Sequence, residues 1–326
     1  MAEWLVEHGI GETRAALIER DRILEARIVP EGELLAGTVL EARLVARFPD
    51  RGHGVVAWAE GEAIVAPLPA NVPEGGLTMV EIVRPAIPER GKPKRARARP
   101  AASGSPAVGP SLTETLGVAR LLRHTDADAL EAAGWSELLE EAATGDVRFA
   151  GGALTIALTP AMTLIDVDGV LPATKLALAG AQAAAGAIRR LDVAGSIGID
   201  LPSAADRASR LACAEAIDAI LPQPFERTAV NGFGFLQIVR RRSRRSIPEL
   251  YAMEAPLAHA RALLRRAERT LGAGPRDLVA HPAIVAELSA RTTWIAAVEQ
   301  RLGAPLTLRA DPTLAISAGH VQACHP

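Results

Sequence analysis

The segment from Met162 to Asp200 constrains the fold of this chain more than any other. Met162 to Val167 is a short apolar run that closes among acids, with Asp166 inside it and Asp168 just beyond. Pro172 to Arg190 has helical apolar spacing, and Pro172 suits the start of a helix. Ile197 to Ile199 is a second apolar run, ending at Asp200. Strand, helix and strand in this order make one βαβ unit, whose strands run parallel, often as neighbours, with a right-handed crossover. Such a unit delivers Asp166 and Asp200 to the carboxyl edge of the sheet, where open α/β sheets bind ligands. Asp168 lies one alternation beyond Asp166, on the same side of its strand.

Carboxylates crowded at one sheet edge repel each other unless a divalent cation lies between them. Hard oxygen ligands select Mg²⁺ or Mn²⁺ over zinc. A cation there lowers the pKa of a bound water and stabilises charge on a phosphate in transfer. The plainer reading is that acids at strand ends cap loops and solvate the edge.

Around this unit the chain divides into five stretches. Residues 1–32 read as N-terminal strands of the core, two of them joined by a turn at Gly9-Ile10-Gly11. Residues 33–88 carry short bursts of alternation, with turns at Asp50-Arg51-Gly52 and Glu60-Gly61. They predict a small β-barrel of the OB type. Residues 89–110, rich in Pro, Arg, Lys, Gly and Ser, read as a basic linker. Residues 111–250 hold the α/β core: helical periodicity to residue 144, a hairpin about Gly151-Gly152, the βαβ unit, a helix over Ala204 to Leu221, and strands on either side of Asn231-Gly232. Residues 251–326 are predicted to be helical, near 257–272, 282–290 and 293–302.

Composition narrows the function classes. The net charge of −2 gives no global attraction for nucleic acid, but basic residues gather at Arg90 to Arg99 and Arg240 to Arg245, and a local basic patch suffices for phosphate binding. Of the two cysteines, Cys213 lies in a helical apolar pattern and reads as a buried thiol, so a disulfide framework is not expected, which fits a reducing compartment. The N-terminus is acidic without a cleavable apolar core. The most apolar stretch, Val170 to Ile188, is too short and weakly hydrophobic for a membrane span. The expectation is a cytoplasmic protein. His320, Cys324 and His325 have metal-compatible types, but a closed zinc site needs a fourth ligand, and a frayed tail is the expectation there.

Three segments together resemble the ribonuclease E/G family. TPAMTLIDVDG (Thr159 to Gly169) resembles the family's active-site strand, GSIGIDLPSA (Gly195 to Ala204) its second strand, and FERTAVNGFGFLQIVRRRSRRSI (Phe225 to Ile247) the segment that follows. Order and spacing match together, and the resemblance spans roughly residues 8–250. It implies an α/β fold: a ribonuclease-H-like and DNase-I-like catalytic core with an inserted OB-type barrel and a helical C-terminal part. Asp166 and Asp200 would ligate Mg²⁺ and serve as the catalytic residues, with Asp168 where the family has Asn. The implied activity is Mg²⁺- or Mn²⁺-dependent endonucleolytic cleavage of single-stranded RNA, leaving a 5′-phosphate and a 3′-hydroxyl. RNA contacts would come from Lys92, Arg227, Arg240, Arg241, Arg242 and Trp58.

The chain also departs from that family. The region that senses 5′-phosphate ends is largely absent. No cysteine follows Ser246 where the family shares zinc between subunits, so any oligomer is not expected to form by a zinc link. Two other readings remain open: a non-catalytic RNA-binding protein derived from the same fold, and a structural partner in a larger RNA-processing complex that presents an apolar face of residues 250–326.

Overall fold

The chain begins with a three-stranded antiparallel meander of β1 (Glu3–His8), β2 (Glu12–Glu19) and β3 (Arg22–Pro30). The computed structural model describes residues 1–87, 94–102, 104–203, 206–270 and 274–323. The sequence predicts two strands here, and the structure has three. Arg20 and Asp21 both take positive φ, 49° and 60°, and make a tight left-handed turn without the glycine that usually marks one.

Next comes a closed five-stranded barrel: β4 (Val39–Phe48), β5 (His53–Trp58), β6 (Gly61–Val65), β7 (Leu77–Arg84) and β8 (Ala96–Pro100), in the order β4-β5-β6-β8-β7. Strand β8 falls inside the stretch expected to be a linker, which corrects that boundary. Ala96 and Ala98 point into the barrel, beside Leu44, Val56, Val65 and Ile82, while Arg95, Arg97 and Arg99 point out. Alternating Ala and Arg is a strand pattern whose apolar half is too small to stand out in a hydropathy reading.

A short helix α1 (Leu112–Leu116) follows, closed by a Ser111–Glu114 capping box. Strand β9 (Arg120–Leu122) then pairs parallel to β1, so the first sheet has the order β3-β2-β1-β9. Helices α2 (Ala129–Ala132) and α3 (Trp135–Thr144) lead into β10 (Asp146–Phe149), β11 (Gly152–Leu158) and β12 (Thr163–Gly169). After these come α4 (Ala173–Arg190), β13 (Gly195–Asp200), α5 (Arg207–Ile220), β14 (Phe225–Arg227) and β15 (Phe235–Arg240). The second sheet has the order β10-β11-β12-β13-β15-β14. Its β12–β13 ladder is parallel and its other ladders are antiparallel.

Helix α4 lies between the two sheets, touching β3 on one side and β11 and β12 on the other. That position explains its composition. Ala177, Ala181, Ala184 and Ala185 are buried among Ala16, Ala26 and Ile28 of the first sheet and Leu154, Ile165 and Val167 of the second. Small side chains let both sheets approach the helix backbone. At Gly180 the approach is closest, because a Cβ there would run into Val167 Cγ1.

The C-terminal part is mixed rather than helical. Helices α6 (Ile247–Met253) and α7 (Ala255–Glu268) precede β16 (Arg276–Ala280), α8 (Pro282–Ser289), α9 (Thr292–Leu302), β17 (Leu306–Ala310) and β18 (His320–Ala323). The three strands form a small sheet of order β17-β16-β18. They are short, and β17 and β18 are edge strands with little apolar alternation, so the sequence shows mainly the helices. The apolar side of α7 is covered: Leu263 and Leu264 pack with Leu278, Ile284, Leu288 and Val298. Its polar side reaches the first sheet, where Arg265 donates to Glu12 at 2.9 Å and Arg269 to Glu7 at 2.7 Å. Arg14 sits beneath them, bonded to Glu7 and Asp128, with its guanidinium 5.0 Å from the Trp135 ring centroid. The face that the structural-partner reading needs exposed is therefore occupied within the chain. No helix among the described residues is long and apolar enough to cross a membrane.

Candidate active site

In-register pairing of β12 with β13 sets Thr163 opposite Ile197, Ile165 opposite Ile199 and Asp166 opposite Asp200. Along β12 the buried residues are Thr163, Ile165 and Val167, which face α4. Leu164, Asp166 and Asp168 face outward. The two aspartates predicted from the βαβ pattern are thus direct neighbours on the open face, with backbones one strand spacing, about 4.8 Å, apart.

The remaining ladders extend this face into rows. Asp146, Thr155, Asp166, Asp200 and Phe235 form one row across β10, β11, β12, β13 and β15. Arg148, Ala153 and Asp168 form the row beyond it, and Leu164, Gly198 and Gln237 the row before it. Burial, then the charges of Asp168 and Asp200, push the Asp166 carboxyl above its ordinary value. These carboxylates sense each other, yet they do not close into a cage. Among the described residues no group of three or more His, Cys, Asp or Glu side chains is gathered tightly enough to hold a metal ion. Asp168 stands beside the Asp166–Asp200 pair on the same face. The Asp166–Asp200 pair remains, and two carboxylates are what Mg²⁺ ordinarily takes from a protein, since it keeps several of its waters.

Arg148 is a site residue that sequence reasoning missed. It is exposed in the row of Asp168, and no ion pair or hydrogen bond reaches its side chain among the described residues. Counting the β10–β11 hairpin back from Gly151-Gly152 puts Arg148 opposite Ala153, and the pairing of β11 with β12 then makes that the aspartate face.

The basic residues proposed for RNA contact fare differently. Lys92 lies outside the described residues. Arg227 does not join the site: its register partner is the buried Ile238, so it is on the helix side of the sheet, and it pairs with Asp218 of α5. Arg240 donates to the Val193 carbonyl at 2.7 Å, Arg242 pairs with Glu249, Arg244 with Asp192, and Arg245 with Glu33 and Glu254. Most of this run therefore ties the second sheet to the elements around it, and within it Arg241 is the fully exposed member. Trp58 is half-buried against the barrel core, its ring above Gly61. His320 is exposed on β18, while Cys324 and His325 lie outside the described residues. Cys213 is a buried free thiol on α5, as its apolar setting predicts.

A cleft of about 700 Å³ lies where the barrel meets the amino ends of β12 and β13. Arg84, Lys94 and Arg97 line it from the barrel, and Thr163, Ser196 and Arg242 from the core, against the single carboxylate Glu249. Lys94 donates to the Pro160 carbonyl at 3.1 Å across the junction. Arg97 is exposed, its side chain with no ion pair or hydrogen bond among the described residues. Thr163 is three residues from Asp166, so the cationic cleft ends about 10 Å from the carboxylate pair. Compared with known proteins, the chain matches no family model and no curated sequence.

Proposed function

We propose that this protein is a metal-dependent endoribonuclease acting on single-stranded RNA, built on the ribonuclease-H-like/DNase-I-like core and OB-type barrel of the ribonuclease E/G family. The observation that carries the reading is the register pairing of Asp166 with Asp200 on the open face of a βαβ unit. Two carboxylates one strand apart, with their neighbour Asp168 raising the repulsion, fit a divalent oxygen-seeking cation. Mg²⁺ or Mn²⁺ held by Asp166 and Asp200 would supply Lewis-acid polarisation of a phosphodiester and acidify an attacking water.

The chain's own residues hold the substrate in place. Arg148 lies two strands from the pair and offers a guanidinium to phosphate oxygens. Lys94 and Arg97 offer a cationic path for the strand as it leaves toward the barrel, an interaction weakened by salt. Asp168, two residues beyond Asp166 on the same face, would add a carboxylate beside a cation held by the pair. A cytoplasmic location accompanies the reading.

The absence of a three-ligand group among the described residues favours a second reading, a non-catalytic RNA-binding protein on the same scaffold. One experiment separates the two. Purified protein is incubated with a fluorescent single-stranded RNA and Mg²⁺ or Mn²⁺, beside Asp166→Asn and Asp200→Asn. Metal-dependent cleavage lost in both variants supports the nuclease. Salt-sensitive binding without cleavage by the wild type supports the binder. Equal cleavage by all three proteins removes the site from consideration.

A further inference from the structure

Beside the aspartate pair the open sheet face changes character. Gly198, opposite Leu164 and Gln237, has no side chain, and its space is filled from both flanks. A Cβ at Gly198 would lie 2.6 Å from Phe235 Cζ and 2.9 Å from Leu164 Cδ2. The Phe235 ring therefore leans across β13 onto Gly198 instead of standing away from the sheet. It remains half-exposed, and Leu164 beside it is exposed. The result is an apolar, partly aromatic floor one same-face step, about 6.6 Å, from Asp166 and Asp200. The Gln237 amide adjoins this floor, with no hydrogen bond to its side chain among the described residues.

A second aromatic stands nearby on a built support. Phe233 is 84% exposed, in the turn just before the residue that faces Asp200. Asn231 Oδ1 accepts from the Phe233 and Phe235 backbone N–H groups at 2.9 and 3.0 Å, and Ser203 Oγ donates to the Phe233 carbonyl at 3.2 Å. Gly234, at φ +94°, presses on the Leu201 carbonyl where no Cβ fits. This turn is held by hydrogen bonds on three sides, so the ring projects from an ordered backbone and little ordering is left for a ligand to impose.

We propose that this floor holds one nucleobase of a single-stranded RNA, stacked on the Phe235 ring beside the Asp166–Asp200 pair, with Gln237 at the base edge and Phe233 as an outer wall. The inference rests on the nuclease reading of the same face and names the substrate group it engages. The chemistry is complementary across the face: carboxylates and a cation suit phosphate, while an aromatic floor with an amide beside it suits a base, as in other single-strand readers. The stacking surface tolerates any base, and the amide supplies a preference among them.

The test is binding without cleavage. Anisotropy of fluorescein-labelled oligoadenylate and oligouridylate is titrated in EDTA with wild type, Phe235→Leu, Phe235→Tyr, Phe233→Ala and Gln237→Leu, over a range of salt. Phe235→Leu keeps the apolar cover over Gly198 and removes the ring. It is expected to weaken binding of both probes roughly ten-fold with an unchanged salt slope, because stacking rather than phosphate contact is lost. Phe235→Tyr retains wild-type affinity, Phe233→Ala weakens binding less, and Gln237→Leu alters the ratio of the two affinities. Wild-type binding with Phe235→Leu and Phe233→Ala unaffected overturns the platform and leaves the nuclease reading standing. No RNA binding by the wild type overturns both. A reduced salt slope or a lowered melting temperature in Phe235→Leu assigns the loss to phosphate contact or folding, and also overturns the platform.

Discussion

Asp166 on β12 is the register partner of Asp200 on β13, so two carboxylates leave one sheet face a single strand spacing apart. Burial and its neighbours' charges raise the Asp166 carboxyl above its ordinary value of 3.8. A raised acid binds its proton more tightly in the folded state, so this group's stabilising contribution is full below pH 3.8 and is lost as pH rises through the folded value. Asp166→Asn is therefore expected to melt higher than the wild type at neutral pH, and the difference should vanish near pH 3. Added Mg²⁺ or Mn²⁺ should raise the wild-type melting temperature and leave Asp166→Asn unmoved. Equal melting at neutral pH would show that the carboxylates do not repel.

Gly180 is the point where α4 comes closest to the second sheet, against Val167. Alanine normally favours a helix over glycine by about 1 kcal/mol. Here its methyl group meets a stiff β-branched side chain, so Gly180→Ala is expected to destabilise by about 1–3 kcal/mol in urea unfolding. Adding Val167→Ala should recover part of that loss. A stabilised Gly180→Ala would mean that the two layers are not in contact at this point.

Arg14 and Glu7 are each 1% exposed and paired at 2.5 Å. Removing Arg14 takes one of two cations from the buried Glu7, which keeps Arg269 at 2.7 Å, and losing a hydrogen bond to a charged buried group costs about 1.5–3 kcal/mol. Arg14→Met should lower the denaturant midpoint accordingly, and Arg14→Met with Glu7→Leu should be less damaged than the single variant. Additive effects in this pair of variants would mean the two groups are not coupled.

Arg97 and Arg245 separate binding from folding. Arg97 is exposed beside the cleft, while Arg245 is buried between Glu33 and Glu254. Arg97→Ala is expected to weaken RNA binding, reduce the salt slope by about one and leave the melting temperature unchanged. Arg245→Ala should lower the melting temperature. RNA affinity indifferent to Arg97 at low salt would remove the cleft from the RNA path.

The sequence by itself determined the βαβ unit and the placement of its acids. Apolar runs of strand length on either side of a helical repeat leave few arrangements, and two-residue alternation then assigns Asp166, Asp168 and Asp200 their side of the sheet. The buried Cys213 and a small barrel, read over residues 33–88 and so short of its strand β8, followed from similarly local patterns. The fate of the arginines was not local. Arg240, Arg242, Arg244 and Arg245 read as a basic strip, yet their partners Val193, Glu249, Asp192, Glu33 and Glu254 lie on other elements. Arg227 looked ready for phosphate until strand register turned it toward Asp218. Strand β8 hid because alanine carries little hydropathy, and β17 and β18 because short edge strands bury little on either face. Arg148 and Phe235 became part of the aspartate face only through long-range pairing across β10, β11, β12, β13 and β15. Only the tertiary structure decided which charges were internal and which faced solvent, because a charge's role depends on the partner packed against it, and no local pattern names that partner.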